Sequence, residues 1–194
     1  MIKAKLILTL AIAILTINSY SQNFNDISVY YGTSYAEFLR NQSLDGDGGY
    51  ELTNFNEFGV KYLRQLSTDF CIETGINYSK SDLQITPSFT GEPVQSRYEK
   101  LEIVSVPIYA NYTFWNNLFL NGGPIIDFQT SNNSSDSQSG IGYSLGIGGK
   151  YKFDKFLIFV NPNFKRHSVI QFKKESHHLK LTELGVQFGI GYKF

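Results

Sequence analysis

The chain ends in Leu184-Gly-Val-Gln-Phe-Gly-Ile-Gly-Tyr-Lys-Phe194, in which apolar or aromatic side chains occupy every second position. This alternation is typical of a β-strand with one apolar face, because successive side chains point to opposite sides of a sheet. Glycine, glutamine and lysine fill the other positions, so the second face is small or polar. We therefore interpret the segment as an amphipathic strand that continues to the last residue.

The same alternation recurs upstream and, with the last segment, defines eight candidate strands. The other seven run near 27–31, 58–62, 72–78, 104–114, 120–128, 141–147 and 158–164. After Gln22 no stretch shows a convincing 3.6-residue period, so no helix is predicted.

The connections between these strands are of two kinds, which alternate along the chain. Three are very short, at 67–69, 115–117 and 153–155. Four are longer and polar, at 37–56, 86–97, 130–139 and 165–178. Short turns at one end and long loops at the other are typical of an outer-membrane barrel with short periplasmic turns. The prediction is an all-β, eight-stranded antiparallel up-and-down transmembrane β-barrel, with both mature termini on the periplasmic side.

A soluble β-sandwich is the competing fold, since its strands also alternate apolar and polar residues. Two features favour the barrel. Evenly spaced glycines lie on the polar face between 140 and 148, and small inward residues suit a narrow interior. The final strand also ends on the aromatic residue Phe194, for which a soluble domain has little use.

The N-terminus has the three-part layout of a secretory signal peptide. Lys3 and Lys5 give a positive start, residues 6–17 are almost entirely apolar, and Ser19-Tyr20-Ser21 offers a small-residue cleavage site. Twelve residues are too few for a helix that crosses a bilayer, which needs about 20. We predict a cleavable signal peptide at 1–21, followed by an outer-membrane β-barrel domain at 22–194.

Composition excludes several other classes of protein. The 194 residues carry 17 Lys and Arg against 17 Asp and Glu, so there is no basic excess that would suit nucleic acid. A single cysteine, Cys71, excludes an internal disulfide framework and a cysteine-rich zinc site. The mean hydropathy of −0.19 excludes a multi-helix membrane protein.

Three segments resemble the small outer-membrane β-barrel family called PorT-like or porin-like, whose shape is related to OmpA and OmpX barrels. They are 104–112, 119–124 and 184–194. The first departs from the family pattern, because Ser105 stands where a glutamate is frequent. The resemblance implies a barrel, a link to protein secretion, and a C-terminal signal read by the barrel-assembly machinery. That signal would comprise Phe188, Ile190, Tyr192 and Phe194.

The inward face of the predicted barrel is polar and charged. Its main members are Lys61, Glu73, Asn77, Tyr109, Asp127, Asn161, Gln187 and Lys193, and it also carries Gln65, Asn111, Asn121 and Asn163. An eight-stranded barrel is narrow enough for side chains to fill it. We predict a structural network of hydrogen bonds and ion pairs, with Lys61 and Glu73 as a pair because buried charges need partners. The alternative is a narrow path for protons or ions along the same groups.

Three residues break the expected pattern. Arg64 lies on the outward face of the second strand, near a short turn from which it can reach the interface. Glu102 points outward unless a bulge intervenes near Ile103, and otherwise it must lie above the membrane. Pro162 lacks a backbone donor, so we expect the seventh strand to be bulged or to leave the sheet there.

No segment carries a convincing catalytic, cofactor or metal site. Asp45-Gly-Asp-Gly-Gly49 begins like a calcium loop but lacks its later ligands, which leaves a turn or weak calcium binding. His167-Ser168 lies in or beside the last predicted loop with Glu175, His177 and His178, and lipid A-modifying barrels use such residues. Adjacent residues of an extended strand face opposite ways, so His167 is not expected to activate Ser168. Cys71 is interpreted as a small packing residue.

The sequence thus predicts a monomeric, non-enzymatic envelope protein without a cofactor. Its partners would be outer-membrane lipid and lipopolysaccharide, the barrel-assembly machinery during biogenesis, and an envelope protein bound by the external loops. The alternatives are a narrow porin-like channel for ions or small solutes and an outer-membrane enzyme that modifies lipid A.

Overall fold

The computed structural model describes residues 25–39, 49–86, 95–131, 137–173 and 179–194. These residues form one closed sheet of eight antiparallel strands in sequence order, which confirms the predicted up-and-down barrel. The strands are β1 Asn25–Leu39, β2 Gly49–Gln65, β3 Phe70–Thr86, β4 Arg97–Phe114, β5 Leu118–Gln129, β6 Gly140–Phe153, β7 Phe156–Gln171 and β8 Lys180–Lys193. None of the described residues forms an apolar helix long enough to cross a membrane.

Closure of the sheet depends on the two ends of the chain. The first strand pairs with β2 on one side and with β8 on the other, from Asp26 opposite Lys193 to Leu39 opposite Lys180. Reciprocal backbone hydrogen bonds join Asn25 and Phe194 at 3.0 and 2.9 Å. A closed sheet leaves no strand edge in lipid, where unpaired backbone groups cannot find water.

The outer surface of the barrel carries large apolar side chains. Ile76, Leu145 and Ile190 are 61–62% exposed, a degree of exposure that suits lipid rather than water. Aromatic residues flank this apolar band at the short-turn end, where the rings of Tyr151, Phe153, Phe156 and Tyr192 contact one another in sequence. Aromatic pairs such as Tyr143 with Phe164 lie at the opposite end. Together the band and its borders match a membrane-spanning barrel.

The strands reach farther on the long-loop side than the sequence predicted. The loops expected at 37–56 and 165–178 are wrong in part, since β1 continues to Leu39, β2 begins at Gly49 and β7 continues to Gln171. The reason lies in a reversal of the two faces. Along the upper part of β3 the outward residues are the polar Lys80 and Asp82, whereas Leu83 is buried inside. Above the membrane the outer face meets water, so the apolar face turns inward.

Two irregularities interrupt the register, and neither lies where it was predicted. One falls between Thr53 and Asn56 of β2, where Asn54 has a φ of 55°. The other falls between Ile141 and Tyr143 of β6, and its additional residues lie on β7. The register is unbroken around Pro162, which pairs with Val186, so the bulge expected there is wrong.

The structure locates Glu102 and Arg64, the two charged residues that the sequence placed on the outer face. Strand β4 keeps one register past Ile103, so no bulge occurs there and Glu102 faces outward opposite Lys80. Arg64 lies next to the short-turn end of β2, opposite Asn25.

Candidate functional site

The centre of the barrel interior holds an ion pair between neighbouring strands. Lys61 on β2 and Glu73 on β3 are almost fully buried, and Nζ lies 3.1 Å from Oε1. The ammonium also lies over the rings of Tyr30 and Phe159, at 4.8 and 5.0 Å from their centroids. A buried cation thus has both a carboxylate and two aromatic faces as partners.

Amide side chains satisfy the remaining oxygens of Glu73. Asn111 on β4 donates to Oε2 at 2.8 Å, and Asn121 on β5 donates to both oxygens at 3.2 and 3.3 Å. Asn161 on β7 reaches Asn121 and Gln187 at 3.4 Å each. The carboxylate therefore links strands from opposite sides of the barrel.

Gln187 on β8 connects this pair to a second charged group above it. Lys61 donates to Oε1 of Gln187 at 2.8 Å, and Nε2 of Gln187 donates to Oε1 of Glu57 at 2.6 Å. The orientation of the amide is thereby fixed by a cation on one side and an anion on the other.

The second group is centred on Lys165 of β7. Its ammonium contacts the carboxylate of Glu57, and it lies 3.5 Å from Oε2 of Glu183 on β8. Asn77 on β3 also donates to Glu57. All four side chains are buried, so these contacts replace the water that the charges lose.

His167 completes the network at its outer end. Nδ1 lies 2.9 Å from Asp127 on β5, and Nε2 lies 2.6 Å from Glu183. Ser105 on β4 donates to the other oxygen of Asp127 at 2.7 Å. Ionised carboxylates only accept hydrogen bonds, so two carboxylates match an imidazolium, which donates through both nitrogens. The ring thus links β5 to β8 across the interior.

His167 enters the interior by the regular alternation of β7, because Asn163, Lys165 and His167 are buried at every second position and the bulge follows at Ser168. The prediction that His167 and Ser168 lie in or beside a loop is wrong, because both are buried within β7. Ser168 has a φ of 49°, so the two neighbours do not face opposite ways as in a regular strand. The facing residue is Gly142, and any Cβ there would clash with the backbone of Arg166 and His167.

An apolar cluster closes the interior above the charged groups. It consists of Ala36, Phe55, Leu101, Ile103 and Leu181, with Phe38 and Leu52 packed against it. Gln138, which precedes β6, is fully buried beside it. Its Nε2 donates to the Leu179 carbonyl at 2.8 Å, and its Oε1 accepts from the Leu181 amide at 3.0 Å. The outer end of the barrel is therefore filled by side chains.

The short-turn end of the interior contains a small cavity. Its volume is about 30 Å³, and Asp26, Lys61, Glu73 and Lys150 are among its lining residues. Lys150 donates to Oγ1 of Thr113 at 2.7 Å. Polar side chains and the apolar cluster thus occupy most of the interior formed by the described residues.

The structure places most of the sequence-predicted interior residues together. Buried inside the barrel are Lys61, Glu73, Asn77, Tyr109, Asp127, Asn161 and Gln187. Lys193 is the exception, because it is half-buried at the short-turn end of β8, opposite Asp26 and six residues below Gln187. The proposed assembly-signal residues Phe188, Ile190, Tyr192 and Phe194 lie exposed on the outer surface.

Four charged members of the network were missed in the sequence. They are Glu57, Lys165, His167 and Glu183. The alternation already predicted an inward position for all four, since Glu57 lies four residues before Lys61, Lys165 and His167 four and six after Asn161, and Glu183 four before Gln187. His167 was identified only as a residue in or beside the last external loop, because the seventh strand was predicted to end at Phe164 and β7 continues to Gln171.

Other candidates give no site. Within the described ranges, no group of three or more His, Cys, Asp or Glu side chains could hold a metal ion, and His167, Asp127 and Glu183 are joined by hydrogen bonds instead. Cys71 is a half-buried free thiol. Glu175, His177, His178 and most of the 45–49 segment lie outside the described residues.

Comparisons with known proteins concern the fold. No protein-family model matches the chain, and no curated protein sequence matches it. The structure resembles OprG from Pseudomonas aeruginosa with a TM-score of 0.54 at 11% identity, over 89% of this chain and 95% of that one. It resembles outer membrane protein AlkL in DMPC bilayers with a TM-score of 0.56 at 11% identity, over 91% and 92%.

A third similar structure is Ail, the attachment invasion locus protein of Yersinia pestis, in complex with the heparin analogue sucrose octasulfate. Its TM-score is 0.50 at 16% identity, over 90% of this chain and all of that one. The chain has the fold of a small outer-membrane β-barrel. At such low sequence identity, this structural similarity shows the fold alone and indicates no particular activity.

Proposed function

We propose that this chain is a non-conducting, non-enzymatic barrel of the outer membrane that binds a partner through its extracellular part. In this proposal it is a monomer with both mature termini in the periplasm. The observation that carries the proposal is the filled interior, where the network from Glu73 to His167 lies below an apolar cluster. A barrel filled in this way serves as a rigid support, since side chains occupy the space that a channel needs.

The extracellular extension is the surface we propose for the partner. Strands β2, β3 and β4 continue there with polar outward residues, and charges of opposite sign face each other between strands. Lys80 is opposite Glu102, and Asp82 is opposite Lys100. Binding surfaces are commonly carried by irregular or exposed segments on a rigid scaffold. The resemblance to PorT-like proteins would make a secretion component one such partner.

Site-directed photo-crosslinking in intact cells tests this proposal. In a Cys71→Ser background, a cysteine-reactive crosslinker is attached at Thr53→Cys, on the outer face of the extension, or at Ile147→Cys, in the lipid-facing band. We expect a discrete protein adduct, identified by mass spectrometry, from Thr53→Cys and not from Ile147→Cys. No adduct from Thr53→Cys, Asp82→Cys or Lys100→Cys would contradict partner binding by this surface.

A narrow proton path is the second candidate, because the ionisable groups form one connected series. It runs from Glu73 and Lys61 through Gln187 to Glu57, Lys165 and beyond. Under this alternative, vesicles that contain the protein would dissipate a pH gradient, and Gln187→Leu would stop the leak. The main proposal expects no leak above that of empty vesicles.

A further inference from the structure

An arginine on the outer surface of β7 has an unusual environment. Arg166 is the next outward-facing residue after Phe164, and its neighbours across the sheet are Tyr143 on β6 and Thr182 on β8. Its Nε and the Oγ1 of Thr182 are both buried, and neither has a hydrogen-bond partner among the residues that the structure describes. Two polar atoms on facing residues therefore lack the partners that buried polar groups normally have.

The charges around Arg166 are also unbalanced. Elsewhere on the outer surface, Lys80 and Lys100 each lie directly opposite a carboxylate. Arg166 has no such neighbour, and none of the described carboxylates forms an ion pair with it.

Two more charged residues surround Thr182. Lys180 is the next outward residue of β8 above it and lies diagonally from Arg166, at a spacing of about 7–8 Å between such positions. Glu37 of β1 faces Thr182 from the other side and opposes part of the positive charge. Two cations and one carboxylate leave a net positive group around a hydroxyl.

The height of this group in the membrane indicates the kind of ligand. Between Phe156 and Arg166 the outward residues of β7 are all apolar, and the distance is 166 − 156 = 10 residues. At about 3.3 Å per residue and a tilt of about 40°, this corresponds to about 25 Å, the height of the apolar band of such barrels. Arg166 therefore lies where the hydrocarbon ends and the headgroups of the outer leaflet begin.

We propose that Arg166, Thr182 and Lys180 bind a phosphate group of lipid A in the outer leaflet. A guanidinium donates two parallel hydrogen bonds to phosphate oxygens, a hydroxyl adds a third, and Lys180 adds charge. Because both unpartnered atoms are buried in this structure, the Arg166 side chain turns outward when the phosphate binds, and the ligand then supplies their partners. The inference uses the outer-membrane location of the proposed function, but it does not depend on partner binding or on the absence of conductance.

Native mass spectrometry of the folded mature protein with added lipid A tests the site. Arg166→Gln should weaken retention of bis-phosphorylated lipid A about tenfold, since a charge-assisted contact is lost. Arg64→Gln is the matched control, because that arginine is outward-facing at the periplasmic end, and retention should be unchanged. Thr182→Val should give a smaller loss. Heat-dependent gel mobility checks that every variant is folded.

Further ligands and a second variant distinguish the outcomes. The unaltered protein should retain dephosphorylated lipid A as weakly as the Arg166→Gln variant retains bis-phosphorylated lipid A. It should also bind phosphatidylglycerol less tightly than lipid A. Arg166→Lys keeps the charge and should retain an intermediate amount. Equal binding of lipid A by Arg166→Gln and the unaltered protein would overturn the proposal, as would equal retention of dephosphorylated lipid A or of phosphatidylglycerol.

Discussion

Buried charges in this barrel are arranged so that each has several partners. Glu73 illustrates the arrangement, because one ammonium and two amides surround its carboxylate. Removal of one member leaves the others buried without their match, which costs more than the net value of the pair. Single substitutions in the interior should therefore lower the free energy of unfolding strongly, whereas substitutions on the extracellular extension should change it little.

Glu73→Gln is the clearest case at this scale. It keeps the shape of the side chain but leaves the Lys61 ammonium buried without an anion at 3.1 Å. We expect a loss of about 3–5 kcal/mol in the free energy of unfolding. Urea titration in detergent, followed by gel mobility, measures it. Glu51→Gln, at an exposed position of β2, is the control and should change stability by less than about 0.5 kcal/mol; a Glu73→Gln variant as stable as this control would contradict the account.

His167 and Ser168 test whether the outer end of the network is catalytic. Both ring nitrogens of His167 already contact carboxylates, so no nitrogen is available to take a proton from Ser168. We expect Ser168→Ala cells to produce lipid A of unchanged structure, as judged by mass spectrometry against a deletion strain. If lipid A of the Ser168→Ala strain and of the deletion strain differs in the same way from lipid A of the parent strain, the result would instead support the enzyme alternative.

At the scale of strands, the reversal of faces explains why the membrane part was predictable and the extension was not. Within the membrane, alternation is apolar-out and polar-in, and the sequence reveals it directly in β8. Higher in β3, Lys80 and Asp82 face water while Leu83 is buried, so the predicted strand ended at Tyr78 although β3 continues to Thr86. The bulge at Ser168 escaped prediction because it arises from packing between strands, not from local residue preference.

Gly142 should be required for that bulge. An added Cβ would meet the backbone of Arg166 and His167, so Gly142→Ala should lower the free energy of unfolding by about 1–3 kcal/mol. Gly149→Ala is the matched control on the same strand, because the nearest atom to its added Cβ is 3.8 Å away, an ordinary contact. Urea titration of both variants checks the difference, and equal stability of the two would argue against a packed bulge.

At the scale of the whole molecule, the C-terminal residue has two roles that can be separated. The Phe194 backbone closes the barrel against Asn25, while its side chain is exposed on the outer surface. If the side chain belongs to an assembly signal, Phe194→Ser should lower the amount of protein in the outer membrane several-fold without affecting refolding in detergent. Phe156→Ser, an exposed aromatic at the same end of the barrel, is the control and should assemble normally. Equal outer-membrane levels of the two variants would remove the case for a signal.

The closed interior is the central claim, and single-channel recording in a planar bilayer tests it most directly. The charged network and the apolar cluster above it fill the barrel, so the purified, folded protein should show no stable conductance steps. The Leu101→Gly variant, which opens space in the apolar cluster, indicates whether the assay detects partial opening. Stable and reproducible channels from the unaltered protein would contradict the account and would make Lys61, Glu73 and Asp127 candidates for ion selectivity.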